Sequence, residues 1–297
     1  MSFGKGTAAF LDTSIQIARV VHDAGVKARI KERTAPYNLL VTSGIVKQEY
    51  KRRLLEEVQW CLNQLNDPKK PKTFEALFRH VTDFLPPQQE RKRNICTQIC
   101  HTVLSVSGRG DMTERARRHF RTLLRTGMAL FELGVGYVVP DCGCACANHP
   151  IIEEKPYQRY DFGPTQCTKC ADRCAVGDFL TNQGELLNEI RAKLDALPTS
   201  LKLKADKKPT ELGKFAEFLT AYLDRGVDPV EMNPCLTVGD LLIALESRNI
   251  PHFYTMNGKE SQFFCRWLGQ TLIVRRRFPA HEDIVCKASD EAWPSFS

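Results

Sequence analysis

The sequence predicts an α/β fold in which a parallel sheet is flanked by helices, with a mainly helical insertion. Three observations carry this. Strand and helix patterns alternate near the N-terminus, the same alternation returns near the C-terminus, and the long stretch between them shows helical spacing with no strand pattern. Ala8-Ala9-Phe10-Leu11 reads as a short buried strand that ends at Asp12. Thr13 or Ser14 can cap the next helix, whose apolar positions Ile17, Val20 and Val21 share a face. Leu39-Leu40-Val41-Thr42 is a second strand, and Ser43 caps a charged helix running through Glu49 to about Leu65.

Beyond Asn66-Asp67-Pro68 the pattern changes. Residues 73–85, 89–106 and 113–133 are expected as three helices, separated by Pro86-Pro87 and by Ser107-Gly108-Arg109-Gly110. Residues 141–174 turn irregular and rich in cysteine, and helical spacing resumes over 178–197 and 211–224. The α/β pattern then returns with a helix opening at Gly239-Asp240, a strand over 251–255, a helix over 261–268 and a strand over 271–274. Residues 1–66 and 232–297 therefore read as one discontinuous domain. Residues 67–231 read as an insertion, with its cysteine-rich module at 141–175.

Composition narrows the function. The chain has 297 residues, enough for a sizeable core. No apolar run reaches the roughly 18 residues that a membrane span needs. The first residues lack the long apolar region of a secretory signal, so a cytoplasmic protein with no membrane partner is expected. The formal net charge of +7 is modest, and it favours nucleic acid only where the basic residues cluster.

Four short motifs occur in a fixed order: Phe10-Leu11-Asp12-Thr13-Ser14, then Ser43 and Glu49, then Gly239-Asp240-Leu241-Leu242, then Tyr254-Thr255-Met256-Asn257. In this arrangement the chain resembles the PIN-like nuclease family over roughly residues 7–66 and 232–280. The resemblance implies metal-dependent hydrolysis of phosphodiester bonds, usually in RNA. Asp12, Glu49, Asp240 and Asn257 then take the catalytic positions, with Thr13, Ser14 and Thr255 supporting them. The fourth position departs from the family pattern, because Asn257 is neutral where an acid is usual. The expected chemistry is consistent with ligands gathering past the carboxyl ends of parallel strands, and with Mg²⁺ or Mn²⁺ held by hard oxygen ligands. Taken singly, each acid also has an ordinary reading. Asp12 is a helix cap, Asp240 a first-turn acid, and Glu49 a member of an ion-paired surface among Lys47, Lys51, Arg52 and Arg53.

Twelve cysteines are a high count, and half of them crowd one segment. Cys142, Cys144, Cys146, His149, Cys167, Cys170 and Cys174 have the ligand types and the Cys-x-x-Cys spacing of a structural Zn²⁺ site. Seven candidates exceed the four that one tetrahedral ion takes, so one site with spare thiols and two sites sharing a ligand both stay open. Disulfides and an iron–sulfur cluster are weaker alternatives. The remaining cysteines are expected as small core hydrophobes.

Arg91, Lys92 and Arg93 open one insertion helix, and Arg118, Arg121 and Arg125 share a face of another. Each group is expected either to contact nucleic-acid phosphates or to form a solvated face. The expectation from sequence is thus a metal-dependent endoribonuclease with a zinc-bearing helical insertion. The alternative is a catalytically inactive PIN-like protein that binds nucleic acid or acts as a scaffold.

Overall fold

The computed structural model describes residues 8–67, 73–105, 110–140, 149–155, 159–162, 175–204, 206, 208–232, 234–276, 280–290, 292–294 and 296. Its centre is a six-stranded sheet. The strands are β1 (Ala8–Leu11), β2 (Leu39–Ser43), β3 (Tyr137–Val139), β6 (His252–Thr255), β7 (Thr271–Val274) and β8 (Ile284–Cys286). They lie in the order β3-β2-β1-β6-β7-β8. All neighbours pair in parallel except β7 and β8. Strands β4 (Ile152–Lys155) and β5 (Arg159–Asp161) form a separate antiparallel pair.

Strand β1 is fully buried, as a central parallel strand covered on both faces must be, and this explains its unbroken apolar run. On one face, Leu11 joins Tyr254 and Ile273 beneath Ile15 and Ala18 of α1 (Thr13–Val21) and Val26 and Ile30 of α2 (Ala24–Thr34). On the other face, Phe10 stacks on Phe253 with ring centroids 5.3 Å apart, and the core continues into the helical middle of the chain. The main chain leaves β1 toward β2 on one side, while β6 lies on the other. The sheet therefore reverses its winding beside the carboxyl ends of β1 and β6.

Ser43 caps α3 (Gly44–Tyr50) by accepting the Val46 N–H. The chain continues through a π-helical turn, Lys51–Leu55, into α4 (Glu56–Asn66) without a break. Helices α5 (Phe74–Arg79), α6 (Glu90–Ser105) and α7 (Met112–Glu132) pack on this rod, and the Tyr50 hydroxyl donates to the Gly127 carbonyl at 3.0 Å. These match the expected insertion helices closely. The expected helix over 178–197 is broken into Ala175–Thr181 and Gly184–Asp195. No helix of the described residues is long and apolar enough to cross a membrane.

Several elements were not expected from sequence. Helix α2 buries only Val26 and Ile30, too few apolar positions to show a stripe. Strands β3 and β8 have three residues each, and β3 lies within the stretch assigned to the insertion, so that stretch supplies one edge of the sheet. The β4–β5 pair falls within the segment read as irregular.

Gln270 holds the end of the helix Gly239–Ser247, which carries Asp240. Its buried side-chain amide donates to the Ser247 carbonyl at 2.8 Å and to the Ile250 carbonyl at 2.9 Å. Gln270→Ala strips a partner from two carbonyls at a buried helix terminus and is expected to cost about 2–4 kcal/mol. Urea unfolding of the two proteins measures this; a difference below about 0.5 kcal/mol would mean that the amide does not fasten this helix.

Candidate functional site

Asp12 lies one residue past β1 and caps α1. Its Oδ1 accepts the Thr13 N–H at 2.6 Å, and its Oδ2 accepts the hydroxyls of Ser14 at 2.8 Å and Thr255 at 2.7 Å. The Ser14 Oγ in turn accepts the Met256 N–H, and the Thr255 Oγ1 accepts the Asn257 N–H. One carboxylate thus joins the carboxyl ends of β1 and β6, and the Asp12 N–H donates to the Tyr254 carbonyl at 3.0 Å. Ionised oxygens accepting several donors are held in a fixed direction, which is what a positioned acid needs.

Glu49 reaches the same place from α3. It is 3% exposed, and its Oε2 accepts the Thr13 hydroxyl at 2.8 Å. Its Oε1 is 2.7 Å from the Arg53 guanidinium and 3.7 Å from that of Arg52. Glu49 is therefore a buried, ion-paired acid and not a member of a solvated face. The two arginines come from the π turn Lys51–Leu55.

Asp240 sits in the first turn of the helix Gly239–Ser247. The preceding glycine is required by proximity, since a Cβ at Gly239 would stand 2.9 Å from the Glu49 Oε1. Burial first, and then the charge of Glu49, push the Asp240 carboxyl up to about 7; Asp12 adds to this, while Arg53 and Arg91 oppose it. Asp12 and Glu49 thus both act on the Asp240 carboxyl, from two other parts of the chain. Arg91, exposed in the first turn of α6, interacts electrostatically with both Glu49 and Asp240.

Asn257 lies just past β6 as expected, but its side chain is exposed and does not cap the helix Gly258–Trp267. Among the described residues, no three His, Cys, Asp or Glu side chains are arranged so that they could hold a metal ion. The pairing of Glu49 with Arg53 is consistent with this. Its Oε1 is already matched by a cation, which leaves Asp12 and Asp240, among the described residues, as the site's carboxylates without an ion pair to a basic side chain.

Of the expected zinc ligands, Cys142, Cys144, Cys146, Cys167, Cys170 and Cys174 lie outside the described residues. His149 is described. Its Nδ1 is 2.7 Å from the Pro150 carbonyl, and its own carbonyl accepts the Lys51 ammonium at 2.5 Å, beside the helix that carries Glu49. Cys61, Cys96, Cys100, Cys235, Cys265 and Cys286 are all buried free thiols, as expected.

The basic groups divide. Lys92 pairs with Glu57 at 2.7 Å and lies 4.3 Å above the Trp60 ring, while Arg93 is half-buried. Arg118 is exposed, but Arg121 approaches Glu114 at 3.9 Å and Arg125 meets Glu153 at 3.4 Å. Much of the charge on the α7 face is thus matched within the chain. Arg52 and Arg53 were expected from sequence only as neighbours of Glu49 on an ion-paired surface. The i,i+4 spacing of Glu49 and Arg53 was visible, but their burial was not.

The raised Asp240 value carries a sign. The folded chain keeps this proton up to about pH 7, whereas an ordinary aspartate loses it near 3.8. The folded state binds the extra proton between those values, so this group makes stability fall as pH rises from about 4 to about 7. Asp240→Asn, measured without added Mg²⁺ or Mn²⁺, is expected to melt a few degrees above the parent at pH 8 and level with it near pH 4. Equal melting at both pH values would show that Asp240 is not held against its neighbours' charge.

No family model, no curated protein and no solved structure matches this chain.

Proposed function

We propose that the protein is a PIN-like, metal-dependent endoribonuclease. The supporting observation is that Asp12, Glu49 and Asp240 converge at the carboxyl edge of the sheet, beside its winding reversal, where open α/β sheets bind ligands. The four ordered motifs that resemble the family point to RNA as the polymer cleaved.

The donor chemistry fits Mg²⁺ or Mn²⁺. Asp12 and Asp240 offer hard oxygens, and Asp240 is an acid whose ionisation a nearby cation would favour. One or two carboxylates completed by waters and substrate phosphates is a usual Mg²⁺ arrangement, and Asp12 and Asp240 are the residues that would hold the ion here. When bound, it supplies a more acidic water and stabilises charge on the phosphate. Thr13, Ser14 and Thr255 fix the acids' direction, and Glu49 aligns Thr13 and holds Arg53. Arg91 faces the acids from the insertion and provides positive charge for an incoming phosphate.

Two observations favour a second reading, a non-catalytic nucleic-acid-binding or scaffold protein. Glu49 is matched by Arg53, and the fourth position carries the neutral, exposed Asn257. Cleavage of labelled RNA in Mg²⁺ or Mn²⁺ separates the two. The nuclease reading expects Asp12→Asn and Asp240→Asn to lower the rate on the order of 100-fold or more. Cleavage at parental rates by both variants removes the proposed roles, and an inactive parent that binds no Mn²⁺ favours the scaffold.

A structural Zn²⁺ at the cysteine-rich segment completes the proposal, carried by the Cys167-x-x-Cys170 spacing. Elemental analysis is expected to return zinc from the purified chain and to lose it in a Cys167→Ser, Cys170→Ser double variant. A metal-free parent would exclude the site.

A further inference from the structure

Farther along the helical rod that carries Glu49, the molecule has a row of rings that the nuclease reading does not use. Trp60 of α4 lies next to His80, with centroids 6.0 Å apart and planes inclined by 28°. His80 lies next to Phe84 at 6.3 Å and 18°. His80 and Phe84 begin and end the π-helical turn His80–Phe84, a rare conformation that is frequent at functional sites. Phe84 is 66% exposed, His80 is also exposed, and Trp60 is half-buried. Lys92 covers the buried end of the row, 4.3 Å from the Trp60 ring. The preceding residue, Arg91, interacts with Glu49 and Asp240. Two consecutive residues thus connect the row to the acids.

We infer that Trp60, His80 and Phe84 form a platform on which unpaired bases of a single-stranded nucleic acid stack. Bases are flat and have π faces whatever their identity, and aromatic side chains set roughly parallel are the surface that holds them without sequence preference. Charge holds no anionic partner strongly here, because Glu57 neutralises Lys92 and Asp83 in the same turn is exposed, so a strand is held by its bases on the rings and not by its phosphates. An acidic peptide brings charge but no flat face to stack, and finds no such hold. In a duplex the base faces are covered by their neighbours, so the platform selects unpaired segments. This inference deepens the nuclease reading by naming the state of its substrate. It rests on that reading only for the strand's approach to Asp240, because stacking itself involves no cleavage.

The test is binding without added Mg²⁺ or Mn²⁺, so that zinc stays in place and cleavage is withheld, read by fluorescence anisotropy with a short labelled oligouridylate and with an abasic strand of equal length. The parent protein is expected to prefer the base-bearing strand about 10-fold. Phe84→Ala and His80→Ala are expected to lose most of that preference while binding the abasic strand as the parent does, and Phe84→Trp is expected to restore it. Melting curves keep a folding defect apart from a binding defect. Equal parental affinity for both strands overturns the inference, as does an undiminished preference in Phe84→Ala. A parent that binds neither strand also overturns it. An enzyme that cleaves RNA but binds without regard to bases loses only this inference. A protein that stacks bases but cleaves nothing loses only the nuclease reading.

Discussion

Carboxyl groups brought close in a partly buried place repel one another, and most of the local structure around Asp12, Glu49 and Asp240 answers that repulsion. Asp12 is held by three donors, the Thr13 N–H, the Ser14 hydroxyl and, across the gap from β1 to β6, the Thr255 hydroxyl. Glu49 is balanced by Arg53, an ion pair that gains from low dielectric only because the Thr13 hydroxyl and the Arg52 guanidinium also meet the acid. Asp240 has the least relief, and its raised value records the deficit. Folds do not ordinarily collect uncompensated acids without a use for them, and strongly perturbed groups cluster at functional sites. That reasoning gives the site its functional weight where similarity to known proteins gives none.

The central sheet was legible because it is locally encoded. Ala8–Leu11 is an unbroken apolar run that leads into an acid and hydroxyl caps, and Thr271–Val274 is framed by Gly269 and a charged run. Long amphipathic helices such as α6 and α7 were equally plain. Short edge strands were not, since three residues such as Tyr137–Val139 gain their order from pairing with β2 and not from their own pattern. Helix α2 failed for a related reason, because two buried residues in eleven look like a charged loop.

Within the site, the positions of Asp12 and Asp240 could be read from motif and element, but the state of Glu49 could not. Its basic neighbours suggested a solvated surface, and only the packing of the rod against α1 and the helix Gly239–Ser247 takes the acid out of water and makes Arg53 its obligate partner. The basic helices also look different once folded. Lys92, Arg121 and Arg125 look like phosphate contacts in one dimension, yet Glu57, Glu114 and Glu153 meet them in three. Charge runs advertise a partner only after internal pairs have been subtracted.

The rod formed by α3, the π turn and α4 ties these features together. Glu49 and Trp60 lie on one continuous helical segment, so the helical rise alone separates them by roughly 16 Å along its axis. That span corresponds to at most about five nucleotides of stacked strand, and to fewer if the strand is stretched. A π turn adds a residue without a matching advance and rotates the helix beyond it, so its presence between the acids and Trp60 sets which way the ring faces. The same turn supplies Arg52 and Arg53 to Glu49. One local irregularity therefore affects both the charge of the acidic pocket and the aim of the aromatic row. A regular α-helix of this length would turn Trp60 to a different side of the rod.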